Sequence, residues 1–346
     1  MRARAGELPG ATGRGAADDH KPRYAMSVDA MPGNRSKFVL PTVMACAALF
    51  AAIGQAAVGG DFAGLVDIGT GRKMYLECRG IGSPTVVLVA GLKGSADDWS
   101  LAAPSKPTVF AEVAKFTRVC AYDRPGTPVG EKPSRSDPVR QPTTAGDAVA
   151  DLHALLSNAN VVRPYVLVGH SYGGLIVRLY ASTYPDDVSG LVLVDALSEG
   201  LRDAETPAQW VTQRKLMEGE IRDSLVQYPD LERIDPDRSF DQVRAAPPLR
   251  PLPAVVLSAD RAVGPQIPSM IAAGVLPADV PRDFGYIIDA AQKQAQERLA
   301  KLVPNAKHVT RTNSGHEIHK EHPQLVIDSI REVVEAVRSG SGHLAR

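Results

Sequence analysis

The sequence predicts an α/β fold in which a mostly parallel sheet is covered by helices on both faces. Three observations predict it. The runs Thr85 to Ala90, Tyr165 to Val168 and Gly190 to Val194 are almost wholly apolar, as strands buried on both faces must be. They alternate with segments whose apolar residues repeat at helical spacing, which is the pattern of parallel strands joined by crossover helices. At one strand-to-helix junction stands G-x-S-x-G, as Gly169, Ser171 and Gly173. A serine on so sharp a turn is held in a strained backbone conformation with its hydroxyl clear of the sheet.

The chain has 346 residues, enough for one large domain or two small ones with a sizeable core. Its 39 Lys and Arg balance its 39 Asp and Glu, so no global field draws it to nucleic acid or to an anionic membrane. Basic and aromatic residues do not interleave, and Cys and His do not fall at zinc-type spacing. Catalysis on a neutral or weakly polar small molecule fits this balance.

The N-terminus reads as a leader. Met1 to Met31 is rich in Gly, Ala, Arg and Pro and has no periodic apolar face. Arg35 and Lys37 then precede an apolar run from Phe38 to Ile53, followed by Gly54, Gln55, Ala56 and Ala57. That is a signal-peptide layout with cleavage after Ala56, and a start at Met26 or Met31 would give it an ordinary length. The alternative is an uncleaved membrane anchor, although the run contains Pro41 and falls short of the ~20 residues a span needs. Val43, Met44 and Ala45 before Cys46 faintly resemble a lipoprotein site, but the apolar run continues past the cysteine. Export leaves two cysteines, Cys78 and Cys120, either as one disulfide or as two separate buried thiols.

After the leader, Phe62 to Ile68 and Lys73 to Cys78 read as two strands joined by a Gly69-Thr70-Gly71 turn. Thr85 to Ala90 follows, then Gly91-Leu92-Lys93-Gly94 and an expected helix from Trp99 to Phe116. Arg118 to Tyr122 is the next strand, and Asp123 to Pro142 a long Pro- and Gly-dense loop of the kind that serves function or moves. Thr144 opens a helix, with Asp147 three residues on as its capping box and Ala145, Ala148, Val149, Leu152, Leu155 and Leu156 on its apolar face. The strand and helix around Ser171 come next, then Gly190 to Val194, ending at Asp195. From about Ser198 to Arg250 the alternation stops. This polar insertion carries one amphipathic helix, with Trp210, Met217, Ile221 and Leu225 on one face. Its expected position is over the C-terminal ends of the strands, where open α/β sheets bind ligands. Ala254 to Ser258 resumes the sheet. Tyr286 to Leu302 is helical, His308 to Thr312 a short strand, and Ser314-Gly315-His316 a turn. Pro323 opens a last helix faced by Val326, Ile330, Val333, Val334 and Val337.

Serine needs a base to take its proton, and the base needs a third group to fix its tautomer. His316, in a turn after the last strand, is the expected base. His170 is next to the serine, but neighbouring strand side chains point to opposite faces. His153 reads as a helical residue satisfied or solvated in place, and His319 and His322 as surface residues.

Pro84 to Gly94, Tyr122-Asp123-Arg124-Pro125-Gly126, Gly169 to Gly174, Gly190 to Asp195 and Gly315-His316 occur in the order and spacing of the α/β-hydrolase superfamily, which the chain resembles from about Phe62 to Arg338. The resemblance implies an eight-stranded, mostly parallel sheet flanked by helices, with the insertion at about 198–250 as a helical cap on a domain running from 57 to 346. It implies an oxyanion hole from the N–H groups of Tyr172 and Leu92. The family's His-Gly pair is Ala90-Gly91 here, a change that leaves the backbone donors but departs from the family's support for the loop. Lys93 is either a substrate contact or, more simply, a solvated loop lysine. The acid is Asp195, at the end of the sixth strand, or Asp260, two positions before the family's seventh-strand site; Asp195 is favoured. In the family's strand order the second and fourth strands are neighbours, which pairs Cys78 with Cys120.

The reading is thus an exported serine hydrolase, carboxylesterase-like, that cleaves ester or acyl substrates through Ser171, His316 and an aspartate, with no metal or organic cofactor called for. Serine at position 171 argues against epoxide hydrolases and haloalkane dehalogenases, which use a carboxylate there. The alternatives are an aminopeptidase or amidase related to proline iminopeptidases, with Glu218, Glu220 and Asp223 holding the substrate's ammonium, and a cofactor-free haloperoxidase-like enzyme. A non-catalytic binding protein on the same fold is a third. Substrate identity and oligomeric state leave no trace in the sequence.

Overall fold

The computed structural model describes residues 60–344, apart from 70, 223, 224, 227 and 305, and not the side chains of 218–222. The expected leader, its cleavage after Ala56, the alternative starts and Cys46 lie outside the described residues. No described helix is long and apolar enough to cross a membrane.

Eight strands form one sheet in the order β1-β2-β4-β3-β5-β6-β7-β8. They are β1 Phe62–Asp67, β2 Lys73–Arg79, β3 Thr85–Val89, β4 Val119–Tyr122, β5 Tyr165–His170, β6 Val188–Val194, β7 Ala254–Leu257 and β8 Lys307–Val309. β1 and β2 form an antiparallel hairpin, and β2 joins β4 antiparallel; the other pairings are parallel. Side chains alternate between two cores. Val87 and Val89 of β3 point to the core under helices α2 (Ala145–Asn158) and α3 (Tyr172–Thr183). Val86 and Leu88 point to the opposite core, under α1 (Val109–Val113) and the final helix, Pro323–Ser339. The apolar runs of the sequence are therefore buried on both sides. α2 begins as its sequence predicts: Thr144 N–H donates to Asp147 Oδ2 at 2.8 Å, while Asp147 N–H donates to Thr144 Oγ1 at 3.3 Å.

The register sets Cys78 of β2 opposite Cys120 of β4, and the two are joined by a disulfide. The Asp123 to Pro142 loop is tied down rather than free. Arg135 donates to Asp123 Oδ2 at 2.5 Å and lies 3.7 Å over the Tyr75 ring, and Ser136 Oγ donates to Asp123 O at 2.7 Å.

Three local expectations change. The helix expected over Trp99 to Phe116 is a short 3₁₀ turn, Ala96–Ser100, followed by extended chain and then α1. Pro104 and Pro107 lie between, and neither can donate into a helical ladder. Among its described residues the insertion holds three α-helices, α4 (Gly200–Asp203), α5 (Pro207–Arg222) and α6 (Pro236–Ala245), where one was expected, and Leu225 falls beyond α5. α6 carries its own start signal: Asp235 caps it by accepting from Arg238 N–H at 3.0 Å, Pro236 opens it, and Phe240 and Val243 bury its inner face. The remaining helices are α7 (Ile267–Ala272), α8 (Phe284–Leu299), α9 (Ile318–Glu321) and α10 (Pro323–Ser339).

Candidate active site

The residues singled out in the sequence come together at the C-terminal edge of the sheet. Ser171 caps α3 with φ 50° and ψ −120°, a conformation a non-glycine residue holds only when its surroundings over-determine it. They do so here. Ser171 N–H donates to Val194 O at 3.1 Å, and its carbonyl accepts from Leu197 N–H at 2.8 Å and Gly174 N–H at 2.9 Å. The flanking glycines are required by space: a Cβ on Gly173 would sit 2.1 Å from Val89 O, and one on Gly169 2.5 Å from Gly173 O. Four of the six described non-glycine residues with positive φ (Lys93, Ser171, Asp195 and Asn313) lie beyond the C-terminal ends of β3, β5, β6 and β8. Backbone strain is thus concentrated along one edge, where ligand and catalytic sites gather it.

His316 lies in the turn after β8. Its Nδ1 is 2.6 Å from Asp195 Oδ2, and the Asp195 side chain is nearly buried. The other carboxylate oxygen accepts from Ala259 N–H at 3.1 Å and from Gln292 Nε2 at 3.4 Å. An ionised carboxylate can only accept, so Nδ1 carries the imidazole proton and Nε2 is left as the basic nitrogen. Asp260 is committed elsewhere. Its Oδ1 accepts from Ser314 N–H at 3.0 Å and Thr312 Oγ1 at 3.3 Å. Partial burial opposes ionisation there, but those hydrogen bonds outweigh it and hold its carboxyl below the usual range. Its partners tie the loop that leads into His316; the imidazole itself is met by Asp195.

His319 differs from its sequence reading, while His170, set aside as a base for Ser171, takes another partner. His170 Nε2–H donates to the carbonyl of His316 at 3.0 Å, and its ring centroid lies 4.6 Å from that of His316 and 4.4 Å from that of His319, each pair tilted by 48°. His319, expected at the surface, is buried against Trp99, with ring centroids 4.8 Å apart. Burial, with His316 adding to it, drives His170 well below the ordinary imidazole value; burial, then the neighbouring His170, does the same for His319. Both are neutral at pH 7. His153 fits its reading, with Nδ1 3.2 Å from Tyr180 Oη and the ring stacked on Tyr184. His170, His319 and Glu317 bring three ligand-type atoms within 4.8 Å of one another. Lys320 Nζ lies 2.9 Å from Glu317 Oε2, so the one negative charge of the group is already met by an ammonium.

The N–H groups of Leu92 and Tyr172 take no partner among the described residues. Tyr172 is the first residue of α3, where the helix dipole adds a partial positive charge. Leu92 lies in the Gly91–Gly94 turn, closed by Gly94 N–H donating to Gly91 O at 3.0 Å. It also lines a cavity of about 360 Å³ shared with Arg214, Met217, Ile234 and Arg238 of the insertion. The acidic cluster proposed from Glu218, Glu220 and Asp223 falls outside the described side chains.

A family model described as the alpha/beta hydrolase family matches residues 86–329. The chain belongs to that family. A pimeloyl-acyl-carrier-protein methyl ester esterase of Chromobacterium violaceum is 30% identical over 181 residues, covering 50% of this chain and 62% of that protein. An uncharacterized protein of Schizosaccharomyces pombe is 32% identical over 154 residues, covering 38% of this chain and 28% of that protein. The chain thus spans less than two thirds of either relative. Among solved structures, an N-acyl homoserine lactone degrading enzyme, Est816, has a TM-score of 0.51 at 19% identity, covering 77% of this chain and 98% of that one. The haloalkane dehalogenase DatA from Agrobacterium tumefaciens has a TM-score of 0.53 at 16% identity, covering 80% and 97%. At these identities the likeness is one of fold.

Sequence reasoning missed Gln292, His170 and Glu232 as parts of this edge. A carboxylate in a polar insertion and a glutamine midway along a helix carry no local pattern. His170 had one, its place beside the serine.

Proposed function

We propose that this alpha/beta hydrolase is an exported serine hydrolase that cleaves ester or related acyl substrates through an acyl-enzyme. The observation that carries the reading is the 2.6 Å contact of His316 Nδ1 with Asp195 Oδ2, on the same sheet edge as the strained Ser171. In this mechanism Ser171 Oγ attacks the substrate carbonyl while His316 Nε2 takes its proton. Asp195 holds the tautomer and stabilises the imidazolium. The N–H groups of Leu92 and Tyr172 meet the oxyanion, acting more strongly on it than on the ground-state carbonyl. His316 then protonates the leaving alcohol, the bond to it breaks, and a water activated by the same imidazole hydrolyses the acyl-enzyme.

Serine at position 171 favours acyl over alkyl chemistry, since a dehalogenase of this fold needs a carboxylate there to form its alkyl-enzyme ester. The esterase from Chromobacterium violaceum supports the ester class. The cavity beside Leu92 lies under the insertion and is lined by Met217 and Ile234 together with Arg214, Asp235, Asp237 and Arg238, a mixed wall that would receive the polar or apolar end of a substrate held at Ser171. The buried Cys78–Cys120 disulfide and the leader-like N-terminus support export to an oxidising compartment. The test is hydrolysis of nitrophenyl acetate, butyrate and octanoate by wild type and Ser171→Ala. Wild type turns over at least one ester and the variant none; equal rates would end the serine mechanism.

A further inference from the structure

The oxyanion turn is braced from below by a buried ion pair. Arg124, at the end of β4, donates from Nη1 to Ala90 O at 2.9 Å and from Nη2 to Gly91 O at 2.5 Å. Its Nε and Nη2 also donate to Glu232 Oε1 and Oε2, at 2.5 and 2.9 Å. Glu232 belongs to the insertion, and its Oε2 accepts a further bond from Lys93 N–H at 2.9 Å. Glu232 is itself locked to the core, its N–H donating to Gly126 O at 3.0 Å. A Cβ on Gly126 would lie 2.4 Å from Asp230 O, so the two segments meet backbone to backbone. The two charged side chains are 3% and 2% exposed.

Stability does not account for such a pair, because desolvating two charges cancels most of their attraction and an apolar pair of similar volume often does as well. Geometry accounts for it. The pair fixes the carbonyl before Leu92, the carbonyl before that, and the N–H after it, while Lys93 is held at φ 64°. Leu92 N–H shares a trans peptide with the Gly91 carbonyl that Arg124 holds, so it points opposite to that carbonyl and away from the pair. We propose that Arg124 and Glu232 are positioning residues that aim the Leu92 N–H at the oxyanion, so that the donor is in place only when the insertion is docked. This rests on the reading of Leu92 as an oxyanion donor, and it supplies the support that Ala90 withdraws where the family has histidine.

The test separates aim from stability with two variants. Glu232→Asp keeps the charge facing Arg124 but withdraws the carboxylate by roughly 1.5 Å, one carbon–carbon bond. Arg124→Met/Glu232→Leu removes both charges together, leaving none unpaired. Nitrophenyl acetate hydrolysis and thermal midpoint are measured for both beside wild type and Ser171→Ala. Losing an oxyanion donor outright lowers kcat by about 10²–10³; a misaimed donor should cost about tenfold in Glu232→Asp and more in the double variant. KM should stay within about twofold, since the donor acts in the transition state. Wild-type kcat in Glu232→Asp overturns the proposal, whatever the double variant does. A kcat loss matched by an equal loss in thermal midpoint and a rise in KM overturns it too, as a purely structural effect. If Ser171→Ala keeps full activity, the serine mechanism itself fails, a result distinct from either.

Discussion

Asp195→Asn is the substitution whose consequence the geometry defines most closely. The carboxylate has two different neighbours: Oδ2 faces His316 Nδ1 at 2.6 Å, while Oδ1 accepts from Ala259 N–H at 3.1 Å and Gln292 Nε2 at 3.4 Å. An asparagine of the same shape must keep its carbonyl oxygen on the two donors, which leaves its NH₂ facing His316. That NH₂ donates, so Nδ1 becomes an acceptor and the proton moves to Nε2, the nitrogen that has to receive the serine proton. The base is then in the wrong tautomer although nothing has moved. Loss of tautomer control in a serine triad costs about 10⁴ in kcat, or about 5 kcal/mol of barrier. The assay is kcat/KM for nitrophenyl acetate with Asp195→Asn and Asp260→Asn side by side, each checked for its thermal midpoint. Asp260→Asn should stay within about tenfold of wild type, because its partners are Ser314 N–H and Thr312 Oγ1. Near-wild-type activity in Asp195→Asn with a large loss in Asp260→Asn would refute the reasoning.

Three further outcomes follow from the same geometry. Gly91→Ala would place a Cβ 2.9 Å from His170 Nδ1 and 3.2 Å from Ser171 Cβ; displacing either the turn or the serine should lower kcat by about tenfold or more with little change in fold, and an unchanged kcat would show the gap can open freely. Cys78→Ala/Cys120→Ala opens a cross-link spanning 42 residues of sequence, worth about 4 kcal/mol on a chain-entropy basis, so the thermal midpoint should fall by several degrees; an equal midpoint would count against it. His170 and His319 are buried neutral, with their folded values pushed below the ordinary 6.5. The unfolded chain therefore binds protons the folded one does not, and stability is complete above about pH 6.5 and declines below it, by up to about 1.4 kcal/mol per pH unit for each histidine. Urea midpoints at pH 7.5 and 5.5 should fall less in His319→Phe than in wild type, and identical pH dependence would contradict the buried, neutral assignment.

Much of this fold was legible because its strands are short, apolar on both faces and separated by unmistakable turns. Val86 to Val89 has no polar face to offer, so it can only be a central strand. The G-x-S-x-G turn was legible for a different reason: glycine is demanded wherever backbones close to within van der Waals contact, as Gly173 does against Val89 O. Where the reading slipped, tertiary context had the deciding role. Trp99 to Phe116 has enough apolar residues for a helix, but Pro104 and Pro107 break it, and a composition-level reading passes over them. His319 looks like a surface residue in a charged turn, yet Trp99 and His170 enclose it. Glu232 is the plainest case. Nothing within its own stretch of sequence marks it, because its partners, Arg124 and the backbone of Lys93, lie 108 and 139 residues away. Local patterns report strands, caps and turns, whereas a bridge from an insertion to a catalytic loop exists only after the chain has folded.

The central claim, that Ser171 is the nucleophile of a serine hydrolase, is met most directly by a fluorophosphonate probe read out by intact mass. Wild type should gain one adduct, peptide mapping should locate it on Ser171, and ester hydrolysis should disappear in proportion to labelling, while Ser171→Ala should gain none. Equal labelling of the variant, or hydrolysis that survives full modification of the wild type, would contradict the account.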